Sequence, residues 1–102
     1  MRNTGSRGKR WTFITNHAAV LSLIVHEPHL TAREIAQRVG ITERAVWRIL
    51  SDLEQENYIT KQKVGRRLEY TSNLDRPLRH PSHRDKNLTE LVNILKPSVK
   101  NT

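Results

Sequence analysis

Hydrophobic residues between positions 42 and 56 recur at the spacing of a helix with one buried side. Their separations of three, one and three residues place all four on one stripe of an α-helix. Thr42 stands before the stripe, where its hydroxyl can accept a hydrogen bond from the first turn. The pattern therefore predicts a helix that begins at Thr42 and ends near Glu56. The stripe consists of Val46, Ile49, Leu50 and Leu53.

A second helix is predicted directly before this one, between Thr31 and Gly40. Thr31 and Glu34 have the spacing of a capping box, in which each side chain bonds to the backbone N–H of the other residue. Gly40 can adopt the left-handed conformation that ends a helix, because it has no Cβ to clash. The two helices are therefore predicted to be joined by a tight turn.

An earlier helix is predicted to run to about Glu27. Either Thr15 or Asn16 can cap it, and Pro28 ends it because proline disfavours helical backbone at the residue before it. Its hydrophobic residues lie on more than one face. One face is expected to pack beneath the helical pair, and the excess favours a second buried face in a dimer. These residues are Val20, Leu21, Leu23, Ile24 and Val25.

A β-hairpin is predicted after the helical pair. Residues 58–64 and 68–71 have the composition of two short strands, and residues 65–67 are assigned to the turn between them. Ile59 and Leu68 are expected to lie in the hydrophobic core. Two arginines then stand at the tip of the hairpin.

A last helix is predicted over residues 82–96, with one narrow hydrophobic stripe. Ser82 and Asp85 have capping-box spacing at its start, and Pro97 ends it. One interpretation is that the stripe pairs two copies of the chain in a homodimer, and the other is that it packs on the first helix of the same chain. The homodimer is the favoured interpretation. The stripe consists of Leu88, Leu91, Val92 and Leu95.

These elements predict a mainly α fold with a small β-hairpin, in the order helix, helix, helix, strand, strand, helix. The chain is divided into an arm at 1–10, a domain at 11–72, a connector at 73–81, the last helix at 82–96 and a tail at 97–102. The arm holds basic residues and no acidic residue. It is interpreted either as a segment that contacts phosphates or a minor groove, or as a solvated tail.

Charge points to an acidic partner. The chain has 18 Lys and Arg against 10 Asp and Glu, which gives a net charge of +8 and a pI near 10.6. Such basicity is expected of a protein that binds nucleic acid, although basic proteins also bind membranes and acidic proteins. Only 35% of residues are hydrophobic, so a partner subunit is expected to help bury the remaining apolar faces.

Several classes of site and location are disfavoured by composition. The absence of cysteine excludes disulfides and thiolate metal sites. The longest apolar run is far too short to span a bilayer, and the basic N-terminus is not followed by the apolar region of a signal peptide. We therefore expect a cytoplasmic protein with no membrane partner.

The spacing within the helical pair resembles a known DNA-binding unit. Ala36, Gly40 and Val46 stand at the positions where a small residue, a turn residue and a packing residue allow two helices to cross closely. This resembles the helix-turn-helix of bacterial and archaeal regulators. Together with the hairpin, the segment IAQRVGITERAVWRILSDLEQENYI is similar to winged helix-turn-helix transcriptional regulators of the MarR and ArsR kind. Asn57 stands where that family commonly has glycine, and asparagine also tolerates positive φ.

The resemblance covers residues 16–72 and implies a sequence-specific regulator that binds double-stranded DNA. Its recognition helix, residues 42–56, would enter the major groove, and its hairpin or wing, residues 59–71, would lie on the backbone or minor groove. The chain is shorter than typical MarR proteins, so the resemblance does not predict a small-molecule effector. The expected DNA-binding residues are Thr42, Glu43, Arg44, Ala45, Trp47, Arg48, Lys61, Lys63, Arg66 and Arg67.

The implied roles differ along the recognition helix. Arg44 and Arg48 are one turn apart and can bind guanine or phosphate. Glu43 can accept from cytosine or simply favour the helix N-terminus, and Ala45 can touch a thymine methyl group. Thr42 can cap the helix and contact a phosphate. Two interpretations stay open for Trp47, which can stack on sugar or base edges or pack on the wing or a partner subunit.

Two other binding functions are possible alternatives. A metal-sensing regulator of the ArsR kind would use His80, His83 and Asp85, with His26 and His29 near Pro28 as further donors. A winged helix that binds protein or RNA would use Trp11 and Trp47 as interface anchors. An enzyme is not expected, because the chain has no nucleophile–base motif, no Gly-rich phosphate loop and no apolar carboxylate pair. No cofactor is predicted.

Overall fold

The computed structural model describes residues 12–96, which form four α-helices and one hairpin. The helices are α1 (Asn16–His26), α2 (Ala32–Val39), α3 (Glu43–Gln55) and α4 (Leu88–Ile94), and the strands β1 (Ile59–Val64) and β2 (Arg67–Ser72) lie between α3 and α4. This order confirms the predicted winged helix-turn-helix architecture. The predictions for the basic arm, Trp11, Pro97 and the tail fall outside the described residues.

The ends of the helical pair form the predicted caps. In the capping box of α2, the Glu34 N–H donates to the Thr31 hydroxyl at 3.1 Å and the Thr31 N–H donates to the Glu34 carboxylate at 2.8 Å. Gly40 ends the helix with a φ of 84°. The Thr42 hydroxyl accepts from the Ala45 N–H at 3.0 Å and so caps α3.

The hydrophobic core lies where α1, α2 and α3 meet the base of the hairpin. Val20 and Val46 are 0% exposed and Ile59 is 1% exposed. The four residues of the α3 stripe are all buried, as their spacing predicts. Ala36 is buried as well, and its carbonyl accepts from the N–H of Gly40 at 2.8 Å, which holds the turn against the end of α2. These contacts fix the exposed side of α3 on the surface of the domain.

The hairpin is antiparallel and projects from the core beyond Lys61 and its partner Tyr70. Its register pairs Ile59 with Ser72 and Lys63 with Leu68. Leu68 is 45% exposed, so its prediction as a core residue was wrong, because only the base of the hairpin reaches the helices. The turn is also one residue shorter than predicted. Gly65 has a φ of 63°, and Arg67 already belongs to β2.

The base of the hairpin is fastened to the end of α3 by a group of hydrogen bonds that we call the wing-base cluster. It is formed by Glu56, Asn57, Tyr58, Asn73 and Arg76. Arg76 donates to the Glu56 carbonyl at 3.0 Å and lies over the Tyr58 ring, 5.4 Å from its centroid. The Asn73 side chain donates to the Asn57 carbonyl, and its backbone N–H donates to the Tyr58 carbonyl at 2.8 Å. Asn57 has a φ of 64°, as predicted for a left-handed helix end.

The last helix begins later than predicted. Residues 81–83 form a single 3-10 turn, and α4 starts at Leu88, capped by the Asn87 side chain, which accepts from the Glu90 N–H at 3.2 Å. Ser82 is therefore not the helix cap. A backbone bridge between Pro77 and Asn87 holds the intervening residues outside a helix.

The α4 helix packs on α1 of the same chain. His26 contacts the Val92 carbonyl at 3.1 Å, and the Ser22 hydroxyl donates to the Leu95 carbonyl. Leu88 and Val92 are 5% and 3% exposed. These two residues are therefore buried within the same chain, as the second interpretation of the stripe predicted. Leu91 and Leu95 remain half-buried. The role of this stripe in a homodimer stays a prediction. Leu91 and Leu95 are its two residues with surface still exposed for such an interface.

Candidate nucleic-acid interface

Two arginines dominate the exposed side of α3. Arg44 and Arg48 are one turn apart, on the side of the helix opposite the buried stripe that contains Val46 and Leu50. Both are exposed and make no hydrogen bond or ion pair with another residue of the described segment. Their guanidinium groups keep all their donors, so both can bind the two acceptors of a guanine edge or a phosphate.

The first turn of α3 presents a smaller set of polar groups. The Thr42 hydroxyl is exposed and accepts the capping bond, and it retains its own proton for donation to a phosphate. Glu43 is exposed in the same turn, where its charge is favourable at the positive end of the helix. Ala45 is half-buried, so only part of its surface is available to a ligand.

The four cations of the wing fall into two pairs. Lys63 and Arg66 are exposed and make no ion pair within residues 12–96. Lys61 lies 4.0 Å from the Glu54 carboxylate of α3, and Arg67 lies 3.5 Å from that of Glu69. The free positive charge is therefore concentrated toward the tip of the hairpin.

The two carboxylates beside the wing were not identified from the sequence. Glu69 and Arg67 are two residues apart on β2 and so lie on the same face, but the sequence prediction had assigned Arg67 to the turn. The approach of Glu54 to Lys61 depends on how α3 crosses β1, and no local pattern indicates it.

The side of the wing that faces α3 also holds a titratable tyrosine. Tyr70 is half-buried, and burial, with a smaller contribution from the Glu54 carboxylate, raises its pKa from the ordinary value of 10.0. Both causes disfavour the tyrosinate. The folded state therefore favours neutral Tyr70, and the corresponding stability is present below the ordinary pKa and lost as pH rises through the raised pKa.

We expect the free energy of unfolding of the wild type to fall more steeply than that of Tyr70→Phe as pH rises above the ordinary tyrosine pKa. Denaturant unfolding across alkaline pH measures the free energy of unfolding of both proteins. Subtracting the values for Tyr70→Phe removes the effect of the lysine titrations, which both proteins share. The near-ultraviolet absorbance difference between the two proteins gives the titration of Tyr70 itself. Glu54→Gln should shift that titration to lower pH. A Tyr70 that titrates below its ordinary pKa would contradict this prediction.

The histidines proposed as metal donors are not brought together. The rings of His80 and His83 are 5.4 Å apart between centroids, but Asp85 pairs with Lys86 at 3.5 Å. His26 contacts a backbone carbonyl, and His29 lies 4.0 Å from Glu69. Residues 12–96 contain no group of three or more His, Cys, Asp or Glu side chains placed to hold a metal ion.

No helix in the described part of the chain is long and apolar enough to cross a membrane. The conclusion applies to residues 12–96 alone.

Comparison with known proteins finds similarity over the helical part of the domain. Residues 15–60 match the family model described as winged helix-turn-helix DNA-binding. An uncharacterized protein of Methanocaldococcus jannaschii, MJ1254, is 38% identical over 61 residues, which are 59% of this chain and 13% of that protein. This chain therefore matches only a small part of its curated relative.

Among solved structures, the zinc-dependent MarR family transcriptional regulator AdcR, in its Zn(II)-bound state, is similar with a TM-score of 0.47 and 21% sequence identity. The similarity covers 67% of this chain and 49% of that chain. The family model and the observed elements agree over the same segment, from the cap of α1 to the start of β1. Residues 15–60 are therefore similar to the winged helix-turn-helix DNA-binding family, and the same segment folds as the three helices of that architecture.

Proposed function

We propose that this chain is a sequence-specific transcriptional regulator that binds double-stranded DNA in the cytoplasm of a prokaryotic cell. The observation that carries the proposal is that Arg44 and Arg48, on the second helix of a helix-turn-helix, are exposed and have no partner among residues 12–96. Arginine is the side chain best suited to bidentate contact with guanine, and this helix is the element that enters the major groove in such domains.

The wing has a different role in the proposal. Lys63 and Arg66 bind phosphates or line the minor groove beside the segment that α3 reads, because both lie toward the hairpin tip and no carboxylate of the described segment neutralises them. Lys61 and Arg67 contribute less, since each already lies near a glutamate. In this arrangement α3 supplies sequence preference and the wing supplies affinity.

The proposal includes a homodimer, because duplex sites are commonly two-fold and need two recognition helices. Ile94 is 78% exposed at the end of α4, next to the half-buried Leu95. These apolar side chains support an interface between two copies at this end of the chain. Sedimentation of the 102-residue chain at micromolar concentration tests the dimer, and a monomer there would contradict this part of the proposal.

The proposed function is tested by the salt dependence of duplex binding. Fluorescence anisotropy of a labelled duplex, titrated at several salt concentrations, should show binding that weakens linearly on logarithmic axes. Replacing Arg66 and Arg67 together by alanine should weaken binding to all sequences alike and reduce the salt slope by about 1 for each phosphate that is no longer neutralised. Arg66→Ala alone should account for most of the change, because Arg67 is already near Glu69.

Arg84→Ala is the matched control for this experiment. Arg84 is an exposed arginine just before α4 with no ion pair in the described segment, so its removal lowers the net charge by the same amount as Arg66→Ala. An unchanged slope in the double wing variant would show that the wing does not bind DNA. Equal effects of Arg66→Ala and Arg84→Ala would show that only net charge matters. No binding of the wild type to any duplex at low salt would reject the proposed function.

A further inference from the structure

Trp47 lies on the flank of α3, between its exposed arginines and the wing. It is 45% exposed and makes no hydrogen bond or ring contact within residues 12–96. Glu54 follows it by two helical turns and therefore lies on the same side of the helix. An exposed indole with no polar partner is a large apolar surface left in water, and such residues are enriched where proteins bind partners.

This flank of α3 faces one particular side of the hairpin. Lys61 approaches Glu54 to 4.0 Å, and Lys61 is paired with Tyr70 in the register of the hairpin. Paired residues of an antiparallel hairpin lie on the same face, as do residues two apart on one strand. Leu68 is therefore on the same face as Tyr70, and the face that holds both is turned toward the flank of α3 that holds Trp47.

Leu68 and Trp47 thus border the space between the recognition helix and the wing, and we call these two residues the apolar seam. Leu68 is also 45% exposed. On the helix side the seam is flanked by Arg44 and Arg48, and on the hairpin side by Lys63, which is paired with Leu68. The seam is consequently an apolar strip between the two arginines of α3 and one lysine of the wing.

A DNA strand has the chemistry that matches such a strip. When α3 lies in a major groove and the wing lies at the adjacent minor groove, one sugar–phosphate strand passes between them. Its phosphates match the cations on either side. Its deoxyriboses carry C–H groups and no hydroxyl at the 2′ position, so they can pack against an indole and an isobutyl group.

We propose that the apolar seam packs against the deoxyriboses of the strand that crosses between α3 and the wing. This inference rests on the proposed function and adds an interaction that is neither electrostatic nor specific for a base. It assigns Trp47 to the sugar backbone instead of a base edge or a protein partner. It also explains the exposure of Leu68, which is available to the strand because it lies beyond the core.

The test compares Trp47→Ala, Trp47→Phe and Leu68→Ala with the wild type. Trp47→Ala should weaken binding by about tenfold on every duplex, because no aromatic ring then packs on the strand, and should leave the salt slope unchanged. Trp47→Phe should retain part of the affinity, and Leu68→Ala should weaken binding less and in the same way. Val64→Ala is the matched control, because Val64 is 47% exposed on the opposite face of the same hairpin and should have no effect.

Fluorescence locates the interaction directly. The chain has two tryptophans, so Trp11→Phe leaves Trp47 as the only indole. Its emission should change on binding both a preferred duplex and a duplex of scrambled sequence. Circular dichroism of each variant checks that the fold is retained, and Trp47→Phe provides a second variant if alanine disturbs α3.

Three results would overturn the inference. A loss of affinity that is confined to one base pair would assign Trp47 to base reading, and an unchanged affinity would show that it does not touch DNA. A change in the sedimentation of free Trp47→Ala would assign it to a protein interface. If the wild type binds duplexes but the seam variants bind equally well, only the seam is rejected, whereas a wild type that binds no duplex rejects the proposed function with it.

Discussion

Replacing Arg48 by alanine is expected to relax sequence preference at one base pair and to cost about 1–3 kcal/mol on the preferred duplex. Arg48 is exposed on the outer side of α3 and has no partner within the described segment, so its removal breaks no interaction there. The cost arises because the bidentate hydrogen bonds to guanine are removed. Affinity for duplexes without that guanine should fall much less.

Selection from a random duplex library first identifies the preferred site of the wild type and shows whether it has two-fold symmetry. Affinities of wild type, Arg48→Ala and Arg48→Lys are then measured on that site and on single-base variants of it. Lysine keeps the positive charge but lacks the planar fork, so Arg48→Lys should be less specific while it retains the salt slope. Equal weakening on every duplex would instead show that Arg48 binds a phosphate.

Replacing Ile59 by alanine is expected to lower the free energy of unfolding by about 2–5 kcal/mol. Ile59 is 1% exposed at the point where the hairpin enters the core, so alanine would leave a cavity between the helices and the wing. This is a large fraction of the stability of a small domain. DNA binding should be abolished under conditions in which the variant unfolds and recovered at lower temperature.

Urea unfolding followed by circular dichroism measures this destabilisation. Val64→Ala is the control in the same strand, and because Val64 is 47% exposed its effect should stay within about 0.5 kcal/mol. A destabilisation of Ile59→Ala as small as that of Val64→Ala would mean that the base of the wing is not part of the cooperative core.

The helix boundaries could be predicted because their determinants are local. Thr31 and Glu34 bond to each other's backbone, and Thr42 bonds to a residue three positions away. Gly40 and Asn57 have positive φ values that few other residues adopt easily. These interactions join residues that are close in the sequence, so they can be predicted without knowledge of the tertiary fold.

The errors arise where distant segments decide the outcome. Ser82 and Asp85 have the spacing of a cap, but the bridge between Pro77 and Asn87 holds this backbone outside a helix until Leu88. Leu68 has the composition of a core residue, but it lies beyond the reach of the helices. Both outcomes depend on contacts between segments that are distant in the sequence, and a local sequence pattern does not predict such contacts.

The candidate interface could be predicted to a similar extent. The arginines of α3 followed from helical spacing, since residues one turn apart share a side. The sequence did not predict which wing cations lie near a carboxylate. Glu54 reaches Lys61 only because α3 and β1 lie close together in the fold. The sequence identified which side chains carry charge, and the structure showed which of them have no ion-pair partner among residues 12–96.

The wing-base cluster has a consequence for the length of DNA that the domain recognises. Arg76 and Asn73 attach the connector to Glu56 and Asn57, the two residues that follow α3, so the recognition helix and the wing are held at one fixed separation. Inserting a single base pair between the segments they touch would move one segment by about 3.4 Å along the axis and rotate it around the duplex. The domain should therefore tolerate substitutions within its site better than a change in the length of the site.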